Sequence, residues 1–231
     1  MRTFLIASAA LAATTAPADA ATRNFGITSF TKVRVDGPYK VSLATGVAPF
    51  ARATGSPLAL DRIAIDVRGD TLIVHTQLDS WGGYPGQVVG PVEIALGTHD
   101  LSSAWLNGSG VLAIDRVKGL TFDLSVQGSG SGTIGHADVD QLKLSLAGTA
   151  SASLGGQAAR MTAFLRGLST LNAANLATKD ATIGADGAAT VDANVSNSVT
   201  IDASGPATVR LAGRPACAVR GSASADVSGC R

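Results

Sequence analysis

The chain has 231 residues, with 18 Lys and Arg against 17 Asp and Glu, and its formal net charge of +1 leaves no basic excess to cluster on one face. That composition argues against a partner such as nucleic acid or another polyanion. The 27 glycines do not recur every third residue, which excludes collagen, and two Trp, two Tyr and six Phe are too few for a large aromatic core. The length suits one large domain or two small ones.

Residues 1–20, MRTFLIASAALAATTAPADA, join Arg2, an apolar run from Phe4 to Ala13 and a terminal Ala18-Asp19-Ala20. This is the pattern of a secretory signal peptide cut before Ala21. A short helix of the folded domain would show an amphipathic stripe, which this run lacks. No Cys follows the cut to carry a lipid, and no later stretch holds the ~20 uninterrupted apolar residues of a spanning helix. The expectation is an exported chain, periplasmic or extracellular at the cell surface, with no transmembrane segment and with residues 21–231 as a single domain.

From Phe25 to Leu96 the chain alternates apolar and polar residues in short runs. Val33-Arg34-Val35-Asp36-Gly37 and Ile65-Asp66-Val67-Arg68-Gly69 share one unit, and Tyr39 to Leu43, Thr71 to His75 and Val92 to Leu96 add strands. Such alternation predicts half-buried strands, here in wider and less regular turns over residues 21–100. Asp79-Ser80-Trp81-Gly82-Gly83-Tyr84-Pro85-Gly86 has loop chemistry and is expected to leave the stack. Every bulky aromatic except Phe122 and Phe164 precedes residue 106.

Over residues 101–231 a repeat sets in. Its anchor is the glycine of the unit apolar-x-apolar-x-Gly, at Gly108, Gly128, Gly148, Gly167, Gly187, Gly205 and Gly221, spaced by 20, 20, 19, 20, 18 and 16 residues. Two before each anchor stand Leu106, Val126, Leu146, Leu165, Ala185, Ala203 and Val219; six after stand Ile114, Ile134, Leu154, Ala173, Ala193, Leu211 and Val227. The position three before the anchor is mixed, from Trp105 through Ser125, Ser145 and Phe164 to Asp202. Strands that bury one face every 19–20 residues, with no helical segment between, are accommodated by winding the chain as a solenoid. The fold class predicted is all-β: a single-stranded right-handed parallel β-helix. The residues after the anchors, mostly small, suit tight corners. Asp123, Asp140, Asp180, Asp192 and Asp202 sit at different offsets, which avoids columns of like charge.

Cys217 and Cys230 are the only cysteines. In an exported chain they predict a disulfide, closing a loop of roughly 14 residues and stabilising by about 3 kcal/mol in the chain-entropy model. Zinc would want two further ligands, and Cys-x-x-Cys is absent. The bond would close one end of the solenoid. The other end has no such staple, and end-to-end self-association through exposed edges is an expected mode of contact.

Little in the sequence carries catalytic chemistry. Gly130-Ser131-Gly132-Thr133-Ile134-Gly135 satisfies G-x-G-x-x-G, but the following residues alternate as strand instead of opening a helix, so it reads as a repeat corner. His75, His99 and His136 are scattered. Asp138 and Asp140 could face one way as a pair, but the residues twenty further on, Ala158 and Arg160, supply no acidic partner for a carbohydrate-cleaving site. No catalytic residue, cofactor or metal site is assigned. Trp81, Tyr84 and Trp105 remain as candidate ligand contacts, because flat exposed rings stack on sugars or bury at partner surfaces. Covering an end of the stack or packing against the N-terminal turns is the simpler account of them.

The early Phe30 to Val41 segment, then Val67 to Val74, then Leu106-Asn107-Gly108-Ser109-Gly110 and Val126 to Gly132 together resemble the autotransporter adhesin, head GIN domain family over roughly residues 28 to 215. The resemblance implies an exported bacterial β-helix without catalytic residues to carry over, and adhesion as its role. The sequence departs from an autotransporter in one respect, since the solenoid uses the chain from residue 21 onward and leaves no length for a membrane barrel. The reading is a non-enzymatic binding or scaffolding module at the cell envelope, with a glycan or protein as partner. The competing readings are a polysaccharide-active lyase or hydrolase and a purely structural, self-associating envelope protein.

Overall fold

The computed structural model describes residues 20–77, 90–221 and 224–231. The first strands are β1 (Ala21–Phe25), β2 (Lys32–Asp36), β3 (Lys40–Thr45) and β4 (Phe50–Gly55). A single turn of helix, α1 (Pro57–Asp61), follows, with Pro57 at its start and the Ser56 hydroxyl accepting from the Ala59 amide at 3.2 Å. Next come β5 (Ile63–Arg68), β6 (Thr71–Thr76), β7 (Glu93–Thr98) and β8 (Ser103–Gly108). The repeat region forms long bent strands, β9 (Val111–Gly128), β10 (Ser131–Gly148), β11 (Ser151–Gly167), β12 (Thr170–Asp186) and β13 (Thr190–Ser204). The chain ends in β14 (Thr208–Ala212), β15 (Ala216–Gly221) and β16 (Asp226–Ser228).

From β9 to β13 each strand pairs in parallel with the next, in register apart from bulges at the corners, β13 then pairs with both β14 and β15, and β14 with β16, so the chain is a β-solenoid as its repeat predicts. Each long strand turns two corners and contributes three arms, as in 111–114, 116–119 and 121–128 of β9. The inward positions are the apolar offsets read from the sequence. Leu124, Leu144, Ala163, Ile183 and Ile201 form one buried column and Ile114, Ile134, Leu154, Ala173 and Ala193 another. A third column shrinks along the stack through Phe122, Leu142, Met161, Ala181 and Val199 to Cys217. Rungs stack at about 4.8 Å, so each buried side chain packs mainly on the one above and below it.

The corners explain the anchor glycines. All seven have φ from +90° to +138°, which L side chains rarely adopt. They also stack on one another so closely that a Cβ on Gly148 would lie 2.5 Å from the Gly128 carbonyl oxygen, the same oxygen that accepts from the Thr149 amide at 2.8 Å. On the outside, the scattered acids meet complementary neighbours. Asp123 lies in register with Lys143, Arg166 is 3.5 Å from Asp186, and Arg210 is 3.4 Å from Asp192.

The N-terminal region departs from simple winding in chain order. β2 lies between β6 and β8, parallel to both, and β3 lies between β7 and the first arm of β9. The coil built from β2 and β3 is therefore inserted between coils that come later in the chain. At this end β1, β4 and β5 run antiparallel to their neighbours. Local alternation specifies a buried face and cannot say which distant strand will cover an edge. β1 is tied down by Arg23, whose guanidinium reaches Asp61 at 2.6 Å and the Leu60 carbonyl at 3.0 Å.

At the other end a disulfide joins Cys217 and Cys230, with Cα atoms 5.7 Å apart. β15 and β16 extend the stack by one partial coil, and Val219, on an inward column of the repeat, is 51% exposed, no further strand covering β15 among the described residues.

Candidate functional site

One side of the solenoid is a continuous sheet in the order β5, β6, β2, β8, then the last arms of β9 to β13 and β15. Its outward column reads Ile73, Arg34, Trp105, Ser125, Ser145, Phe164, Gly184, Asp202 and Arg220, each in register with the next. The next outward column holds Asp36, Asn107, Gln127 and Ala147.

Around Trp105 these columns enclose a groove of about 550 Å³ lined by Arg34, Arg68, Thr71, Ile73, Trp105, Asn107 and Gln127. The indole is partly exposed. Arg34 Nε binds Asp36 at 2.8 Å, and the Asn107 amide donates to Asp36 at 2.6 Å, so one carboxylate fixes both side chains. On the margin Lys32 pairs with Asp70 at 3.0 Å and His75 lies 3.1 Å from Asp66. The hydrogen bond from Lys32 holds the Asp70 carboxyl below its ordinary pKa. An aromatic face ringed by guanidinium, amide and hydroxyl groups can bind a polar ligand.

The second exposed ring on this face has a local explanation. Phe164, 58% exposed, lies over Gly184, where a Cβ would come 2.7 Å from its ring. The ring covers backbone that the glycine leaves bare.

A second groove, of about 530 Å³, follows the bend between the middle and last arms of β10 to β13 and includes Asp138, Asp140, Gln157, Lys179, Asn194 and Ser196. Its register corrects one detail of the sequence reading. A bulge between Ile134 and Ala137 shifts the pairing, so Asp138 stands opposite Gln157, not Ala158, and accepts from its amide at 2.9 Å. Asp180, two rungs along, accepts from Ser198 at 2.6 Å and Asn197 at 2.7 Å, and these bonds lower its pKa. The G-x-G-x-x-G string runs from the corner at Gly130 through the first arm of β10 to the next bend at Gly135, and Cβ atoms on these two glycines would crowd the carbonyls of Gly110 and Asp115. Among the described residues no three His, Cys, Asp or Glu converge as metal ligands.

Of the aromatics singled out by sequence, Trp105 lines the first groove, while Trp81, Tyr84 and the loop they occupy lie outside the described residues, as do residues 1–19 of the expected leader. Sequence reasoning missed Arg34, Arg68, Ile73, Asn107 and Gln127. Their outward position was readable from alternation; Asn107 and Gln127 adjoin Trp105 through β8 and its pairing with β9, whereas Arg34, Ile73 and Arg68 are brought there by β2 inserting between β6 and β8.

The fold and this surface define a closed β-solenoid whose interior is filled by side chains and whose contacts must be made from its outer faces. Residues 29–215 match the model of the family described as Putative auto-transporter adhesin, head GIN domain, and the chain belongs to that family. Similar solved structures include a putative adhesin from Bacteroides fragilis, at 15% identity and a TM-score of 0.77, covering 90% of this chain and 96% of that one. A putative lipid binding protein from Parabacteroides distasonis superposes at 18% identity and 0.70, covering 91% and 97%. A putative adhesin from Parabacteroides merdae does so at 14% and 0.66, covering 90% and 94%. At these identities the likeness shows a shared fold. No curated protein matches the sequence.

Proposed function

We propose that this chain is an exported, non-enzymatic binding module of the bacterial cell envelope, adhesin-like in role, and that the sheet around Trp105 is its contact surface. The observation that carries the reading is the groove itself, where a partly exposed indole stands among arginine and amide side chains. Membership in an adhesin family supports it. The Cys217–Cys230 disulfide and the leader pattern of residues 1–20 support a periplasmic or surface location.

The test is to probe the purified exported chain against glycan and envelope-component arrays. Binding that disappears in Trp105→Ala supports the proposal; retained binding in that variant removes the assigned surface. Release of new reducing ends or unsaturated products from acidic polysaccharides would overturn the non-enzymatic reading. A structural, self-associating role is the second reading, favoured by the uncovered Val219 on the terminal strand. It predicts concentration-dependent sedimentation that Val219→Lys suppresses.

A further inference from the structure

We infer that the Trp105 groove takes an acidic oligosaccharide, with one sugar ring on the indole and the carboxylate of a neighbouring unit on Arg68, three strands away across β2 and β6; the inference rests on the binding-module reading above. The charge pattern around the groove motivates it. Lys32, Arg34 and His75 each have an aspartate within 3.1 Å, namely Asp70, Asp36 and Asp66. Arg68, also in the lining, makes no ion pair among the described residues and is exposed. Arg68 is thus the one guanidinium of the lining with no described carboxylate in ion-pair range, the nearby Asp66 and Asp70 being held by His75 and Lys32. Its planar fork matches a carboxylate through two parallel hydrogen bonds.

The remaining lining suits a sugar better than other anionic ligands. Asn107 spends its amide N–H on Asp36, leaving its carbonyl oxygen to accept, and the Gln127 amide offers both a donor and an acceptor. Such mixed groups pair with hydroxyls, which both donate and accept. The indole supplies a flat apolar platform, and the rungs beyond it, Ser125 and Ser145, are small enough to leave that side of the ring open. An acyl chain would find little to bury against, because apart from Trp105 and Ile73 the lining is polar. A polyphosphate would need more than one uncompensated cation.

Oligogalacturonate and its fully methyl-esterified form, which differ only at the carboxyl group, free and charged in one and capped as a neutral methyl ester in the other, are the probes, titrated calorimetrically at low salt into the exported chain, Arg68→Gln and Trp105→Ala. The expected result is roughly tenfold tighter binding of the acid form, as a charge-assisted bond requires. Arg68→Gln should abolish that preference while still binding the ester, and Trp105→Ala should weaken both forms about tenfold or more. Equal affinity of the parent chain for acid and ester, or a preference that survives Arg68→Gln, overturns the inference. Binding of inorganic phosphate that is lost in Arg68→Gln, without any binding of oligogalacturonate, overturns it too, assigning the anion site to phosphate. If neither uronate form binds but another envelope component binds in a Trp105-dependent way, the saccharide assignment fails and the proposed function stands. Arg68 is exposed and unpaired, so its variant should keep the parent circular dichroism spectrum and remain informative even if Trp105→Ala is unstable.

Discussion

Replacing Gly148 by alanine should be among the most damaging single-methyl changes in the molecule. The residue sits at φ +91°, and placing an L side chain in a sparsely populated backbone region costs about 1–3 kcal/mol. The new Cβ would also lie 2.5 Å from the Gly128 carbonyl oxygen, a contact that backbone must move to relieve. That movement strains the Thr149 to Gly128 hydrogen bond at 2.8 Å, worth about 1 kcal/mol net. Together these effects predict a loss of about 3–5 kcal/mol, or a fall in Tm of roughly 6–20 °C for a domain of this size. Gly46→Ala is the control: its φ is +73°, yet nothing lies within 4 Å of where the new methyl would stand, so only the backbone contribution applies. Thermal and guanidinium melts followed by far-ultraviolet circular dichroism compare the two. If Gly148→Ala is no more destabilising than Gly46→Ala, close stacking of the corner backbones does not contribute, and the physical account of the glycine column is wrong.

Three further outcomes are expected. Replacing both Cys217 and Cys230 by alanine should cost about 3 kcal/mol, and hydrogen exchange should show lost protection in β15 while β9 to β11 keep theirs. Leu144→Ala, in the middle of a buried column and 2% exposed, should cost about 2–5 kcal/mol by denaturant titration, because the rungs on either side limit collapse into the space. Asp180 has its folded pKa lowered below the ordinary 3.8 by the bonds from Ser198 and Asn197. Its stabilisation is therefore present above the unfolded value and is lost as pH falls through the folded one. Thermal melts across the acid range should show Asp180→Asn less sensitive to acid than the parent, and identical acid profiles would refute that linkage.

The repeat region was legible because its interactions are local in a particular sense. Each rung packs on copies of itself, so a column such as Leu124, Leu144, Ala163, Ile183 and Ile201 appears in the sequence as a constant offset from a glycine. Where the offset slipped, as between Asp138 and Gln157, a bulge had absorbed a residue at a corner, where no buried side chain pins the register. Trp105 was legible as an outward aromatic, whereas its neighbours were not, since Arg34, Ile73 and Arg68 reach it through strand pairings that no periodicity encodes.

Sequence alone thus determined the solenoid, its buried columns, its glycine corners and the cysteine pair at its end, because backbone conformation and one-sided burial leave a periodic mark on residue choice. Tertiary structure alone decided that β2 and β3 slide between later coils, that β1, β4 and β5 close the N-terminal end antiparallel, and that the groove forms around Trp105. An exposed strand edge offers the same row of N–H and C=O groups to any partner, so the choice among partners rests on the packing of the whole end of the stack.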